Sequence, residues 1–521
     1  MRRAITVVVF AIVIAFTRFA SAADDTIKVD GGRISGTTEN GVRTFKGIPF
    51  AAAPVGDLRW KAPQPVVPWQ GIKQCDTFGP ECPQAPYPAG SMYASPPQKQ
   101  SEDCLYLNVW TTAKQGEKRP VMVWIHGGAL TRGSGANRTY NGAAFAKKGV
   151  VLVTINYRLG PFGYLAHPEL TAESPQHSSG NYGVLDQIAA LQWVQKNIAA
   201  FGGDAKNVTI FGESAGSWSV NTLVATPLAK GLFHRAIGES GGTFGSMTYL
   251  KEDRARMTSA EKVGAAFAKA ANADSIKALR AVSAEKIVDL FNNDTEGKKF
   301  RTSPNVDGWV LPDEIRNIFT EGKQNDVPVI VGSNANEMTT LAPPGSVPKT
   351  VDDYRKRIEP LYGEATRDFD ALYPVKSDAD VPTAYLDSMR DVTFTLPMRT
   401  WARMTATGKS KAYLYLFSHV APNQNSKYLG AYHASEIAYV FNNLNPQNTM
   451  LQELDHKLAE TMSDYWVNFA RTGDPNGKGL TKWIPYNATD EPYMDFGDVV
   501  QVRNHLLKDK LDFLEQFQKR R

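Results

Sequence analysis

Val208-Thr209-Ile210-Phe211-Gly212-Glu213-Ser214-Ala215-Gly216-Ser217 joins a short β-branched and aromatic run to a Gly-x-Ser-x-Gly turn. An apolar, helix-compatible segment follows, and in that strand–turn–helix setting the motif signifies a nucleophile elbow. So sharp a turn forces Ser214 into strained backbone angles. Gly212 and Gly216 omit the Cβ atoms that would collide with the neighbouring strand and helix. The expected result is a serine hydroxyl held clear of a sheet, at the tip of a helix whose free N–H groups point toward an incoming oxygen. Gly-x-Ser-x-Gly alone recurs by chance; the buried strand ahead of it supplies the meaning.

On either side of this turn, strands alternate with helices. The strand candidates are Val121–Ile125, Val150–Asn156, Val208–Phe211, Ala236–Glu239, Val327–Gly332 and Lys411–Ser418. Helical patterns such as Tyr182–Asn197 and Ser217–Thr226 lie between them. Strands separated by helices predict an α/β protein with a central, mostly parallel sheet and helices on both faces. The stretch Thr26–Val121 is instead β-rich with frequent Gly and Pro. Residues 251–303 and 352–403 carry helical periodicity and are expected to be insertions capping the sheet. Residues 23–521 are therefore expected to form one domain.

A hydrophobic fraction of 42% and a charged fraction of 21% describe an ordinary globular protein. The formal charge of +5 includes Arg2, Arg3 and Arg18, and without them it is +2. So small a charge argues against nucleic acid or an anionic membrane as the main partner. Arg2 and Arg3, the apolar run Ala4–Phe16 and the small residues Ala20-Ser21-Ala22 read as a secretory signal over residues 1–22, cut before Ala23. An uncleaved anchor is the alternative, but the apolar run is short for a span and no run of about twenty apolar residues follows. Secretion or periplasmic residence is expected. Of the three cysteines, Cys82 and Cys104 bracket a Pro- and Ser-rich segment that a disulfide would restrain. That pairing is favoured over Cys75–Cys82 and leaves Cys75 alone. Three cysteines make no convincing metal site.

An acyl-transfer serine needs a base, an orienter for the base and donors for the developing oxyanion. Val121-Met122-Val123-Trp124-Ile125 runs into His126-Gly127-Gly128-Ala129, whose small residues let the backbone curl so that amides converge. Gly127, Gly128 and Ala129 are candidate donors, with Ala215 adding one from the elbow. The base should come late in the chain, because this arrangement runs serine, acid, histidine. Of the eight histidines, His126 belongs to the oxyanion loop, while His167, His177 and His234 precede the acid. His456 and His505 sit among charged neighbours in helical patterns. His433, in a loop beyond the last central strand, is favoured over His419, which ends a strand. For the acid, Glu337 follows the strand Val327–Gly332, whereas its rival Asp307 sits in a turn before any strand.

These residues resemble the type-B carboxylesterases and cholinesterase-like lipases of the α/β-hydrolase fold. The likeness covers nearly the whole chain beyond the leader. It includes Phe45-Lys46-Gly47-Ile48-Pro49-Phe50, Pro54-Val55-Gly56-Asp57-Leu58-Arg59, Ser101-Glu102-Asp103-Cys104-Leu105-Tyr106-Leu107-Asn108 and Asn156-Tyr157-Arg158-Leu159-Gly160, besides the elbow. The resemblance implies Ser214 as nucleophile, Glu337 as acid, His433 as base and Gly128, Ala129 and Ala215 at the oxyanion hole. It also implies a Cys82–Cys104 disulfide and an Arg59–Glu102 ion pair. The chemistry so implied is hydrolysis of a small carboxylic ester through an acyl-enzyme, with no metal or organic cofactor.

Two departures stand out: Ala129 replaces a third glycine, and Ser217-Trp218 follows the elbow where smaller residues are common. Trp218, Phe244 and Tyr432 are candidate substrate contacts. The chain lacks the later cysteines of the animal enzymes and any C-terminal anchor, which resembles a bacterial secreted member. A non-catalytic adhesion protein is the rival class, disfavoured because all three triad positions are filled. A true lipase is the rival within enzymes. Neither the ester nor the oligomeric state is legible.

Overall fold

Alternate residues of the strand Arg119–Ile125 enter two different hydrophobic clusters. Val121, Val123 and Ile125 pack with Leu191, Val220 and Trp401, whereas Met122 and Trp124 pack with Phe145, Trp466 and Phe469. Successive strand side chains point to opposite faces, so an uninterrupted apolar run is what a sheet covered on both sides requires. The helices Tyr182–Asn197, Ala215–Ala225 and Leu396–Ala406 cover one face, and Glu453–Thr472 with Ala143–Lys147 covers the other.

This is a computed structural model, and it describes residues 26–88, 90–94, 96–254, 257–293, 300–343 and 345–520. The expected leader, residues 1–22, lies outside the described residues. Eleven strands form the main sheet. From one edge to the other they are Val500–Asn504, Pro492–Phe496, Ala412–Phe417, Val329–Asn334, Arg235–Glu239, Gly203–Glu213, Arg119–Ile125, Val151–Ile155, Tyr106–Thr111, Val42–Pro49 and Thr37–Glu39. The run from Pro492–Phe496 to Val151–Ile155 is parallel, and the strands outside it pair antiparallel. A separate small sheet joins Thr26–Val29, Gly32–Ser35 and Ile72–Gln74.

Each expected central strand is present to within two residues at its ends, except that Val208–Phe211 is part of a longer strand, Gly203–Glu213. The edge pair Pro492–Phe496 and Val500–Asn504 was not expected. Pro492 and Asp495 break the apolar pattern of the first, yet all five of its residues are buried. Parallel register puts the carboxyl ends of neighbouring strands on one edge, where chemistry collects in such sheets. Glu213 pairs with Glu239, Gly212 with Ile125, and Glu239 with Gly332. The loops leaving Ile125, Glu213 and Asn334 therefore emerge together. Among the described residues, no helix is long and apolar enough to cross a membrane.

Candidate active site

The elbow is strained as its sequence requires. Ser214 adopts φ +55° and ψ −121° immediately before the helix Ala215–Ala225, a region that L-residues avoid. Two hydrogen bonds hold it there: Ser214 N–H donates to the Glu239 carbonyl at 2.8 Å, and Trp218 N–H donates to the Ser214 carbonyl at 3.0 Å. A Cβ on Gly216 would come within 2.0 Å of the Ile125 carbonyl oxygen, and one on Gly212 within 2.6 Å of the same atom. Ser214 remains partly exposed between the buried Glu213 and Ala215.

The loop after Ile125 lies against the serine, since a Cβ on Gly127 would sit 3.1 Å from Ser214 Cβ. Thr131 and Arg132 N–H both donate to the Gly128 carbonyl at 3.0 Å, closing the loop into a turn. Gly128 has φ +104°, while Ala129 and Leu130 adopt +55° and +59°. Ala129 thus occupies a conformation that favours glycine, which is why its replacement of a third glycine carries strain. Among the described residues, the amides of Gly128, Ala129 and Ala215 donate to no protein acceptor. His126 stacks on Tyr157 at 4.5 Å between ring centroids, and the Tyr157 hydroxyl donates to the His126 carbonyl at 2.8 Å. Burial lowers the His126 pKa to about 4, so the ring is neutral beneath the loop. Next to Tyr157, Arg158 grips buried Asp186 with Nε–Oδ2 and Nη2–Oδ1 both at 2.7 Å.

Glu337 and His433, ninety-six residues apart, meet at 2.5 Å between Oε2 and Nδ1. Their loops are joined by a parallel bridge between Asn336 and Tyr432, in which Asn336 N–H donates to the Ala431 carbonyl at 2.9 Å. Glu337 is fully buried, and its Oε1 accepts from Asn334 N–H at 2.7 Å. The second imidazole nitrogen, Nε2, lies 3.1 Å from Glu213 Oε1, off the line needed for a hydrogen bond. Since Glu213 precedes Ser214, this edge of the ring faces the elbow. Among the described residues, Ser214 Oγ itself makes no hydrogen bond, to His433 or to any other group. The Phe394 ring packs 5.1 Å from the imidazole, carried on a π-helical turn, Asp391–Thr395. The Tyr93 hydroxyl hydrogen-bonds Thr340 Oγ1 at 2.6 Å and the His433 carbonyl at 3.1 Å, tying the Pro/Ser-rich segment to the histidine loop.

Electrostatically this is an acid-rich pocket. Glu213, Glu239, Glu337 and Glu436 are all buried. Burial pushes Glu213 and Glu239 well above the usual carboxylate range, and lifts Glu436 to about 7. Asn334 Nδ2 donates to Glu436 Oε2 at 2.5 Å, and Trp466 Nε1 donates to Glu239 Oε1 at 2.7 Å. For His433, burial disfavours the cation, but Glu213 and then Glu337 outweigh it and raise the pKa to about 9. Sequence reading did not assign roles to Glu213, Glu239 or Glu436. Glu213 stands inside the elbow motif and Glu436 three residues after His433, but nothing local marks either as buried.

The rejected alternatives have other partners. His419 bridges Asp455 at 2.9 Å and Asp498 at 2.7 Å. Asp307 closes its own turn by accepting from Trp309 and Leu311 N–H. His456 and His505 are exposed. Trp218 and Phe244 line one cavity, whereas Tyr432 lies in the histidine loop, its carbonyl accepting from Asn334 Nδ2 at 2.8 Å. Arg59 and Glu102 form the implied ion pair, with Nε–Oε2 at 2.6 Å. Cys75, Cys82 and Cys104 are all buried thiols in this structure, so it does not show the implied Cys82–Cys104 disulfide. The Cys82 sulfur accepts from Leu159 N–H at 3.2 Å, and Cys82 together with burial holds the Cys104 thiol protonated. Burial holds Cys75 protonated, with its pKa pushed up to about 11.

A family model described as "Carboxylesterase family" matches residues 23–514. The fumonisin B1 esterase of Sphingopyxis macrogoltabida is 38% identical, over 90% of this chain and 86% of that one. The para-nitrobenzyl esterase of Bacillus subtilis is 35% identical, over 91% of this chain and 95% of its own. Among solved structures, a carboxylesterase of Geobacillus stearothermophilus superposes with a TM-score of 0.81 at 33% identity, covering 94% of this chain and all of that one. A strained serine at a strand end, amides unclaimed by the protein and a carboxylate-bound histidine are what acyl transfer to serine requires. With the family match, they make this chain an α/β-hydrolase that cleaves carboxylic esters as a serine hydrolase, and it belongs to the carboxylesterase family.

Proposed function

We propose that Ser214, His433 and Glu337 are the nucleophile, base and acid of this esterase. The amides of Gly128, Ala129 and Ala215, with Gly127 beside them, receive the oxyanion. The observation that carries this reading is the buried 2.5 Å contact between Glu337 and His433, with Nε2 turned toward the residue preceding Ser214. His433 takes the Ser214 proton as Oγ attacks the ester carbonyl, and the tetrahedral oxyanion is held by the loop and elbow amides. The imidazolium then protonates the departing alcohol. Water repeats the attack on the acyl-enzyme and releases the acid. Glu337 holds the tautomer with Nδ1 protonated and stabilises the cation. Peptide mapping after organophosphate treatment tests the assignment: the label belongs on Ser214, and a label elsewhere overturns it.

The raised pKa of His433 has a direction that kinetics can read. Only the neutral imidazole accepts the serine proton, so kcat/KM rises with pH through the His433 pKa. Glu213 leads the groups that raise it. Glu213 and His433 titrate together, so Glu213→Gln removes the carboxyl that favours the imidazolium, and the ascending limb is expected to move toward acid by about one pH unit. A limb that stays in place or moves toward alkaline pH refutes the coupling.

The leader, the disulfide and the domain division belong to the same reading. Residues 1–22 direct export, which the charged and apolar pattern supports, as does a family match beginning at residue 23. Export into an oxidising compartment joins the Cys82 and Cys104 thiols. Intact mass of the exported protein tests both points, with Ala23 at the N-terminus and two fewer hydrogens than the reduced chain. Residues 23–521 form one catalytic domain, with helical insertions around 251–303 and 352–403, supported by the helices Ala260–Ala270, Ala284–Asn292, Val351–Tyr362 and Val381–Arg390. Trp218, Phe244 and Tyr432 contact the small ester substrate.

A further inference from the structure

A cavity of about 330 Å³ opens one helical turn beyond Ser214, and its lining includes Trp218, Thr243, Phe244, Arg316, Thr400 and Gln518. Segments that border it reach both the serine and the histidine. On the serine side lies Gly241, where a Cβ would meet the Ser214 carbonyl at 2.4 Å and Trp218 Cδ1 at 3.0 Å. On the histidine side the wall contains Val392 and Thr393, next to the Phe394 that packs on His433.

Arg316 is the cation of this cavity, and it has no carboxylate partner among the described residues. Its Nε donates to the Phe244 carbonyl, which orients the guanidinium. The acids beside it in sequence are engaged elsewhere: Glu314 accepts from Met247 N–H, and Asp313 accepts from Glu314 N–H and Asn317 Nδ2. Arginines on the adjoining helix are neutralised. Arg399 pairs with Asp512 at 2.7 Å, and Arg403 with Glu515 at 2.7 Å and Glu491 at 2.9 Å. A half-buried guanidinium left unpaired beside indole and phenyl walls is complementary to an apolar group ending in a carboxylate.

We propose that this cavity is a subsite for an amphipathic carboxylate, whose charged end is held by Arg316 and whose apolar body lies against Trp218 and Phe244. Two sources share that chemistry: the acid released by ester hydrolysis, and a free carboxyl group carried by the substrate. The site rests on the esterase reading only for its supply of ligand.

Calorimetric titration of Ser214→Ala protein with hexanoate needs no turnover, so it stands apart from any failure of the triad assignment. Arg316→Gln in that background is expected to weaken hexanoate binding by about tenfold, and Arg316→Lys by less, because it keeps the charge. Equal hexanoate affinity with arginine and glutamine at this position, or no binding to the parent protein, overturns the proposal. In the active enzyme, the ratio of kcat/KM for a dicarboxylate half-ester to that for a neutral ester distinguishes the sources. A tenfold fall of that ratio in Arg316→Gln assigns the site to a substrate carboxyl. An unchanged ratio with hexanoate inhibition lost assigns it to the product acid.

Discussion

Replacing Ser214 with alanine is expected to lower kcat/KM for any ester by about 10⁴- to 10⁶-fold and to leave the fold intact. The loss is large because the hydroxyl is the attacking atom, and the remaining amides supply only the oxyanion share of catalysis. The fold survives because, among the described residues, the Ser214 side chain makes no hydrogen bond, while the bonds that hold the elbow come from its backbone, to Glu239 and Trp218. Alanine meets the same steric penalty at φ +55° as serine. Melting temperature and steady-state rates on a chromogenic ester check both halves. Full activity in Ser214→Ala removes the nucleophile assignment, and with it the proposed roles of His433 and Glu337.

Gly216→Ala is expected to cost about 3 kcal/mol or more in stability and most of the activity. A Cβ there would lie 2.0 Å from the Ile125 carbonyl oxygen and 2.9 Å from its carbon. Neither atom can turn aside as a flexible side chain does, because Ile125 is the last residue of a fully covered central strand. Relief requires the first turn of the helix Ala215–Ala225 to move away from that strand. The movement shifts the Ala215 amide and the loop of Gly127, Gly128 and Ala129 relative to each other, so that any protein that folds has a distorted oxyanion site. Gly231→Ala is the control: it has φ +78° but nothing within 4 Å, so it registers backbone strain alone, about 1 kcal/mol. Urea unfolding of the two variants, with kcat/KM on the same samples, separates the clash from the strain. Equal stabilities would show that the contact with Ile125 relaxes freely.

Much of the proposed site was legible because acyl-transfer chemistry restricts residue types and chain order. Ser214 was readable from two glycines and a buried strand. His433 and Glu337 followed from their places after strands, since carboxyl-terminal strand ends share one edge in a parallel sheet. Less could be read where meaning depends on surroundings. Glu213, Glu239 and Glu436 look like any acids in sequence, yet all are buried, and Glu213 and Glu436 act on the charge of His433. Tyr93 reads as one residue of a Pro- and Ser-rich loop, but it is tied to the His433 carbonyl across 340 positions. Trp218 and Phe244, candidate substrate contacts, share a cavity, but Arg316 beside them, which has no carboxylate partner among the described residues, carries no local signature.

By itself the sequence determined the layers and the chemistry. Apolar runs such as Val121–Ile125 can be satisfied only between two covers, and Gly-x-Ser-x-Gly after such a run can only be a tight, strained turn. What the tertiary structure alone decided is charge and proximity: which carboxylates lose water, which distant loops meet, which arginine among the described residues faces a cavity with no carboxylate beside it. Periodicity and backbone sterics act over a few residues and are written locally. Desolvation and Coulomb interaction depend on every group within several ångströms, and the chain brings those groups together only by folding.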